Sequence, residues 1–143
     1  MMNDFEKLIL YFETLSLDKV AAMGDYYAKD AYFCDPFNEV NCLQDIQAIF
    51  IDMFHKLDKP AFKITDVFQA EQGVVLVWDF IFNVKLLRVM PFKIRGNSVL
   101  KFNAQGKVNY HRDYWDSSAE LYAKLPLLGS IFRGLRLQFS SKS

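Results

Sequence analysis

Four polar and aromatic side chains alternate along one short segment near the C-terminal end of the sequence. Asn109, His111, Asp113 and Trp115 are spaced two apart within the run Asn-Tyr-His-Arg-Asp-Tyr-Trp. Residues at this spacing point to the same face of a β-strand. An aspartate beside a histidine on one face can orient the imidazole and make it a better base. The pattern indicates either an acid–base pair or a buried pair that fixes the strand.

A second candidate for acid–base chemistry is Asp35, which directly precedes Pro36. An aspartate before a proline often closes a turn by accepting hydrogen bonds from nearby backbone amides. A carboxylate that lies in an apolar pocket can instead transfer protons near neutral pH. Both interpretations of Asp35 remain open at this point.

Asp79 stands out because it lies within the apolar residues 74–82. Burying a carboxylate among such residues is costly unless it is paired. Strand alternation places Asp79 on the same face as Ile81 and on the opposite face from Trp78 and Phe80. If the rings of Trp78 and Phe80 pack against helices in the protein interior, Asp79 points to the outer face, toward solvent or a partner subunit. If the rings point outward instead, Asp79 enters an interior pocket.

Three helices are predicted in the N-terminal part of the chain. Asn3 and Glu6 have the spacing of a capping box at the start of the first helix. Ser16 can cap a second helix whose apolar face extends to Tyr27. After a short predicted strand, apolar residues at helical spacing indicate a third helix over 43–57, with Asn41 and Gln44 at the spacing of a capping box.

The second half of the chain changes from helical to strand periodicity. Segments rich in Val, Ile, Phe and Tyr are separated by short stretches that contain glycine. This pattern is typical of long strands joined by tight turns, which form an antiparallel meander. The predicted strands cover residues 61–71, 74–86, 93–103 and 107–116.

Composition limits the classes of function. The 143 residues fit one domain, 1–143, and 52% of them are hydrophobic, including 14 Phe. Lys plus Arg and Asp plus Glu both total 17, so no overall positive charge favours nucleic-acid binding. There is no apolar run of membrane-spanning length and no basic leader, which predicts a cytoplasmic protein. Cys34 and Cys42 are expected to be reduced thiols.

A C-terminal amphipathic extension, at about 117–143, follows the last predicted strand. It begins with Ser117 and Glu120, which have capping-box spacing and predict a short helix. It carries Arg133, Arg136 and Lys142 next to apolar residues. We expect this extension to dock across a pocket mouth or onto a second subunit. A peripheral membrane contact or a partner groove is the alternative.

The order of elements and two short motifs resemble the nuclear transport factor 2-like superfamily. The motifs are Ala28-Lys-Asp-Ala31 leading to Cys34-Asp35-Pro36, and Phe102-Asn-Ala-Gln-Gly-Lys-Val108 leading to His111-Arg-Asp-Tyr-Trp-Asp116. This superfamily includes ketosteroid isomerase, limonene epoxide hydrolase and the SnoaL-like proteins, which the chain resembles most. The resemblance implies an α+β fold: a cone-shaped, curved antiparallel sheet on N-terminal helices, enclosing an apolar pocket and pairing with a second copy through the sheet.

Ketosteroid isomerase uses an aspartate before a proline as its base, with a tyrosine and a protonated aspartate as hydrogen-bond donors. The resemblance assigns these positions to Asp35, Tyr11 and Ser98 in this sequence. A serine can donate a hydrogen bond but does not replace a neutral carboxylic acid. Tyr11 can equally be a core aromatic whose hydroxyl reaches a neighbour.

Limonene epoxide hydrolase has an Arg-Asp-Tyr run whose aspartate matches Asp113. That match implies that Asn109, His111 and Asp113 point into the cavity. The chain departs from that enzyme at the earlier strand, which holds Asp79 but has no arginine beside it. Its arrangement of two aspartates and an arginine is therefore broken.

The sequence predicts a small, largely apolar ligand and no cofactor or metal. Phe54, Trp78, Asn109 and Trp115 are expected to contact the ligand. Acid–base chemistry, if present, is expected from Asp35 or from His111 with Asp113, with Tyr11 and Ser98 as donors. The alternative function is a dimeric protein-interaction module without enzymatic activity.

Overall fold

The computed structural model describes residues 2–84, 87–120 and 137–138. Within these ranges, helices and strands follow the order predicted from the sequence. The helices are α1 (Asp4–Glu13), α2 (Leu17–Ala21), α3 (Leu43–Lys56) and α4 (Ser117–Glu120), and the strands are β1 (Tyr27–Cys34), β2 (Glu39–Val40), β3 (Leu57–Ala70), β4 (Gly73–Val84), β5 (Leu87–Phe102) and β6 (Val108–Tyr114).

The helix starts follow the capping chemistry in two of three predicted cases. The side chain of Asn3 accepts from the backbone N–H of Glu6, and the Glu6 carboxylate accepts from Asn3, which confirms the capping box. Ser16 caps α2 as predicted. The predicted capping box of α3 is wrong, because Cys42 occupies the N-cap and contributes no side-chain hydrogen bond.

The predicted second helix is too long. Helix α2 ends at Ala21, and a 3-10 turn over Met23–Asp25 follows it. Tyr27 is therefore the first residue of β1 and not part of a helix face. This change matters because the Tyr27 side chain then points into the core from the sheet.

Six strands form one curved, open sheet in the order β2-β1-β6-β5-β4-β3. The predicted α+β class with helices packed on a curved sheet is confirmed. Among the described strands, every neighbouring pair is antiparallel except β1 and β6, which run parallel. A parallel pair needs a long connection, and here α3 and the β3–β5 meander lie between the two strands.

The strands extend further than the sequence pattern indicated. Strand β3 begins at Leu57, directly after α3, and passes through Lys59 at φ 50°. Strand β5 begins at Leu87, whereas the sequence pattern predicts a start at residue 93. The β5–β6 turn depends on Gly106, whose φ of +77° lies in the left-handed region that glycine adopts without strain.

The core lies between the helices and the inner face of the sheet. Its largest completely buried side chains include Tyr27, Phe33, Met23 and Ile46, joined by inward residues of β4 and β5 such as Leu76 and Leu100. Helices α1 and α3 both contact β3, and α3 also contacts β1. Over the described ranges, no helix combines the length and apolarity that a membrane crossing needs.

The start of the predicted C-terminal extension is visible as α4. Its cap is Asp116, whose Oδ1 accepts from the backbone N–H groups of Ser118 and Ala119, rather than the predicted Ser117–Glu120 box. Most of the predicted amphipathic segment, residues 121–136 and 139–143, lies outside the described residues.

Candidate active site

A chain of hydrogen bonds joins four strands beneath the helices, with His111 at its centre. The Nδ1 atom of His111 lies 2.6 Å from the Tyr27 hydroxyl, and its Nε2 atom lies 2.6 Å from Oδ1 of Asp113. The same Oδ1 accepts from the Ser98 hydroxyl at 2.5 Å. Ser98 in turn accepts from the indole N–H of Trp78 at 2.8 Å. Strands β1, β6, β5 and β4 each supply part of this polar network.

The donors and acceptors fix the tautomer of His111. The pKa of the Tyr27 hydroxyl is raised well above 10.0, first by burial and then by the negative charge of Asp113. Tyr27 therefore keeps its proton, and His111 Nδ1 is the acceptor that the described residues offer to this buried hydroxyl. A neutral imidazole then carries its proton on Nε2, which donates to the Asp113 carboxylate. Both ring nitrogens are engaged, and only 3% of His111 is exposed.

A β-bulge determines which residues of β6 point inward. Lys101 pairs with Tyr110 and Phe102 pairs with Val108, so Asn109 is the extra residue. Val108 and His111 are buried, whereas Asn109 is exposed. The expectation that Asn109 shares the inward face fails for this reason.

Two cavities meet at Asp113. A small cavity of about 20 Å³ is lined by Ser98, His111, Asp113 and apolar side chains, which is room for about one water molecule. A larger cavity of about 770 Å³ opens between α3 and the inner face of the sheet. Trp78 also lines both cavities. Asp113 is thus the carboxylate of the network, and it lines the larger cavity.

The larger cavity has mainly aromatic and aliphatic walls. Strand β4 contributes alternate residues that point inward, and α3 contributes one side of its surface. A space of this size and character is typical of a small-molecule site. Its aromatic lining residues are Phe33, Phe37, Phe50, Phe62, Trp78, Phe80, Phe82 and Trp115, and its charged ones are Asp35, Asp52, Lys56 and Asp113.

Two tryptophans close the end of the larger cavity near Asp113. A Cβ atom at Gly96 would lie 2.6 Å from Cη2 of Trp78 and 2.9 Å from Cβ of Trp115. The Trp78 ring and the Trp115 Cβ therefore both pack against the bare backbone of one glycine. Of the residues that the sequence singles out, Trp78 and Trp115 line the larger cavity and Ser98 lines the small one.

Asp35 lies at the rim of the larger cavity but is held by its own turn. Its Oδ1 accepts from the backbone N–H of Phe37 at 2.8 Å and from that of Asn38 at 2.7 Å. The Asn38 amide also contacts both carboxylate oxygens, at 3.1 and 3.2 Å. Four hydrogen bonds fit the turn-closing interpretation of Asp35.

Tyr11 and Phe54 are not brought to this site. The Tyr11 hydroxyl donates to the Lys19 carbonyl at 2.7 Å, and its ring stacks on Tyr26 at 4.2 Å. Burial, followed by the charges of Tyr26 and Asp25, raises the pKa of Tyr11 far above its ordinary value. Phe54 is half-buried against the core and does not line the larger cavity.

Tyr27 is the member of the network that sequence reasoning missed. The apolar residues around Tyr27 fit both a helix face and a strand, and their helical spacing predicts a helix that extends to Tyr27. The useful signal was the run Tyr-Ala-Lys-Asp-Ala-Tyr-Phe-Cys, residues 27–34, which has aromatic residues at both ends and no helix cap after it. Placed on a strand, Tyr27 becomes a buried hydroxyl that needs a partner.

Asp79 points to the outer face of the sheet, away from both cavities. It is only 6% exposed because the side chains of Arg95, at 3.2 Å, and Lys93, at 3.4 Å, lie over it. Burial acts to raise the pKa of Asp79, but the Arg95 hydrogen bond and the Lys93 charge outweigh burial and lower it. The same face exposes Ile81 and Tyr114.

A model of the SnoaL-like domain matches residues 9–111, which is more than half of the sequence. The chain belongs to the SnoaL-like family. The matched segment includes Tyr27, Ser98 and His111, and it ends two residues before Asp113. No curated protein sequence matches this chain.

Solved structures with the same fold share little sequence with this SnoaL-like chain. A ketosteroid isomerase-like protein from Catenulispora acidiphila, solved with trimethylamine, has 14% identity and a TM-score of 0.70, over 85% of this chain and 92% of its own. A protein provisionally named a SnoaL-like polyketide cyclase, from Shewanella putrefaciens, has 19% identity and a TM-score of 0.68, over 85% and 98%. AclR from Streptomyces galilaeus, provisionally a hydroxylase, has 16% identity and a TM-score of 0.64, over 92% and 89%. At these identities the likeness shows the fold alone.

Proposed function

We propose that this SnoaL-like protein binds a small, largely apolar ligand in the larger cavity and uses Asp113 as its acid–base group. The observation that carries the proposal is the position of Asp113, at the boundary between the buried network and an aromatic cavity of about 770 Å³. The chemistry would be proton transfer or water addition without a cofactor. One neighbour of the same fold was solved with trimethylamine, which supports a small organic ligand for the fold.

The network assigns different tasks to the predicted catalytic residues. Oδ1 of Asp113 is engaged by both Ser98 and His111. Among the described residues none donates to Oδ2, which leaves that oxygen to take a proton from a ligand or from a water in the small cavity. His111 and Ser98 hold the carboxylate and act as positioning residues, because their own polar atoms are already engaged.

The proposal predicts that hydrophobic metabolites stabilise the protein against heat. A ligand at about 100 times its Kd should add about 2.7 kcal/mol to the free energy of unfolding. Asp113→Asn should still bind neutral apolar ligands, because the cavity walls are unchanged, but should lose turnover by about 100-fold to 10,000-fold. Thermal shift across a panel of such metabolites, followed by product analysis of those that bind, measures both effects.

Asp66→Asn is the matched control, because Asp66 is an exposed carboxylate of β3. It should change neither binding nor turnover. If no compound shifts the melting temperature of the wild-type protein, the ligand-binding proposal is refuted. If Asp113→Asn retains full turnover, the role of Asp113 is refuted while ligand binding stands.

A second proposal concerns a homodimer formed through the outer face of the sheet. Ile81 is 40% exposed and Tyr114 46% exposed on this face. Ile81 pairs with the exposed residues Ala61 and Lys93, and Tyr114 pairs with the half-buried Asn97. Ile81→Glu would place a charge within such an interface and should give a monomer. Leu10→Glu, at an equally exposed apolar position on α1, should leave the assembly unchanged. Sedimentation velocity distinguishes the two, and a monomeric wild type excludes the dimer.

A further inference from the structure

We infer that the ligand of the larger cavity carries an alkylated ammonium group, which sits against Asp113 and the two tryptophans. This inference rests on the proposed function, since it names the chemical class of the ligand for the same cavity. It is carried by three features of that space: the sign of its charges, the availability of one carboxylate oxygen and the aromatic surface around that oxygen.

The charged residues of the cavity favour a cation. Among the described residues that line it, three are carboxylates, Asp35, Asp52 and Asp113, and one is an ammonium, Lys56. Lys56 is already paired with Asp52 at 2.7 Å. A ligand carboxylate or phosphate would meet like charge in an apolar space, whereas a cation would meet the opposite charge.

Asp113 is the carboxylate best placed to receive that cation. Asp35 is saturated by the four hydrogen bonds of its turn, and Asp52 is paired with Lys56. The network uses only Oδ1 of Asp113. Oδ2 is the remaining oxygen of a residue that lines the cavity, and no residue within the described ranges donates to it.

The surface around Asp113 selects an alkylated ammonium over a primary one. Trp78 and Trp115 both line this cavity with Asp113, the Phe62 ring lies 5.6 Å from Trp78, and the Phe37 ring lies 5.6 Å from Trp115. A primary ammonium needs three hydrogen-bond acceptors, which aromatic walls do not provide. Methyl groups on the nitrogen instead spread the charge over surfaces that contact ring faces, as in aromatic cages for quaternary ammonium ligands.

An isosteric pair of probes tests the charge preference directly. Phenyltrimethylammonium and tert-butylbenzene have nearly the same shape and differ in the positive charge. Trp78 and Trp115 are the two tryptophans of the chain, so quenching of intrinsic fluorescence reports on the site itself. Wild-type protein should bind phenyltrimethylammonium about tenfold more tightly than tert-butylbenzene.

Substitutions distinguish the contribution of the Asp113 carboxylate to cation binding from the contribution of the aromatic rings. In Asp113→Asn the preference for the cation should fall below about threefold, because the counter-charge is gone. Asp52→Asn, which removes a carboxylate already paired with Lys56, should retain the preference. Trp115→Leu should weaken the binding of phenyltrimethylammonium more than the binding of tert-butylbenzene, because only the cation is attracted to the face of the ring. The comparison of the two probes in wild-type protein stands even where a variant fails to fold.

Each outcome decides one of the two proposals. Equal or tighter binding of tert-butylbenzene to the wild-type protein overturns the ammonium inference and leaves an apolar ligand site intact. Retention of the full preference in Asp113→Asn overturns the placement of the cation against Asp113. If neither probe binds and the metabolite panel also fails, the ligand-binding function itself is refuted.

Discussion

Gly96→Ala is expected to destabilise the protein by about 3 kcal/mol and to abolish ligand binding in the larger cavity. The added Cβ would lie 2.6 Å from Cη2 of Trp78, 2.9 Å from Cβ of Trp115 and 2.9 Å from the carbonyl oxygen of Tyr114. Overpacking of this kind costs about 1–3 kcal/mol, and the upper end applies here because a strand carbonyl cannot move aside. Urea unfolding gives the loss of stability, and thermal shift with a bound metabolite gives the loss of binding.

Gly24→Ala is the matched control for this substitution. A Cβ at Gly24 meets Cδ2 of Leu43 at 3.4 Å, which is an ordinary contact. The free energy of unfolding should change by less than about 1 kcal/mol, and ligand binding should be unaffected. Equal effects of the two substitutions would show that the tryptophans do not depend on the bare backbone at Gly96.

The general architecture could be predicted from sequence because its signals are local. Asn3 with Glu6 fixes a helix start, and the change from helical to alternating periodicity after residue 57 marks the sheet. Alternation along β4 also placed Trp78 and Asp79 on opposite faces, and the structure shows that Trp78 is on the inner one. Each of these inferences needs only the residues within one element.

The bulge at Asn109 could not be predicted, because it depends on how two strands pair. Strict alternation places Asn109 on the same face as His111. In the pairing with β5, however, Asn109 is an extra residue, so the side chains that precede it in β6 point to the opposite face from the one that alternation predicts. The consequences are local but decisive for the site. His111 and Asp113 stay inward, and Asn109 leaves the cavity.

The parts of the site that join distant segments were also beyond the sequence. Tyr27 and His111 are 84 residues apart, and their contact exists only because β1 lies parallel to β6. No spacing rule connects a tyrosine at the start of the chain with a histidine near its end. The resemblance to ketosteroid isomerase pointed to Tyr11 instead, and that hydroxyl is occupied by a backbone carbonyl of α2.

His111→Leu is expected to cost about 4 kcal/mol of stability, although leucine suits an apolar environment. The substitution removes a hydrogen bond to the Asp113 carboxylate, worth about 1.5–3 kcal/mol, and leaves the buried Tyr27 hydroxyl without a partner, at about 1–3 kcal/mol. Packing against Phe33, whose ring centre lies 4.8 Å from that of His111, is largely kept by leucine. Urea unfolding of the variant measures the loss.

A double-mutant cycle shows whether the loss comes from the network. Tyr27→Phe alone should cost about 1–3 kcal/mol, because it leaves His111 Nδ1 unpaired. In the His111→Leu background the same change removes a hydroxyl that is already without a partner, so it should restore stability. The double variant is therefore expected to be more stable than His111→Leu alone. If the two losses of stability simply add, the Tyr27 hydroxyl and His111 are not coupled. That result would contradict the hydrogen bonds that lead from Tyr27 through His111 to Asp113.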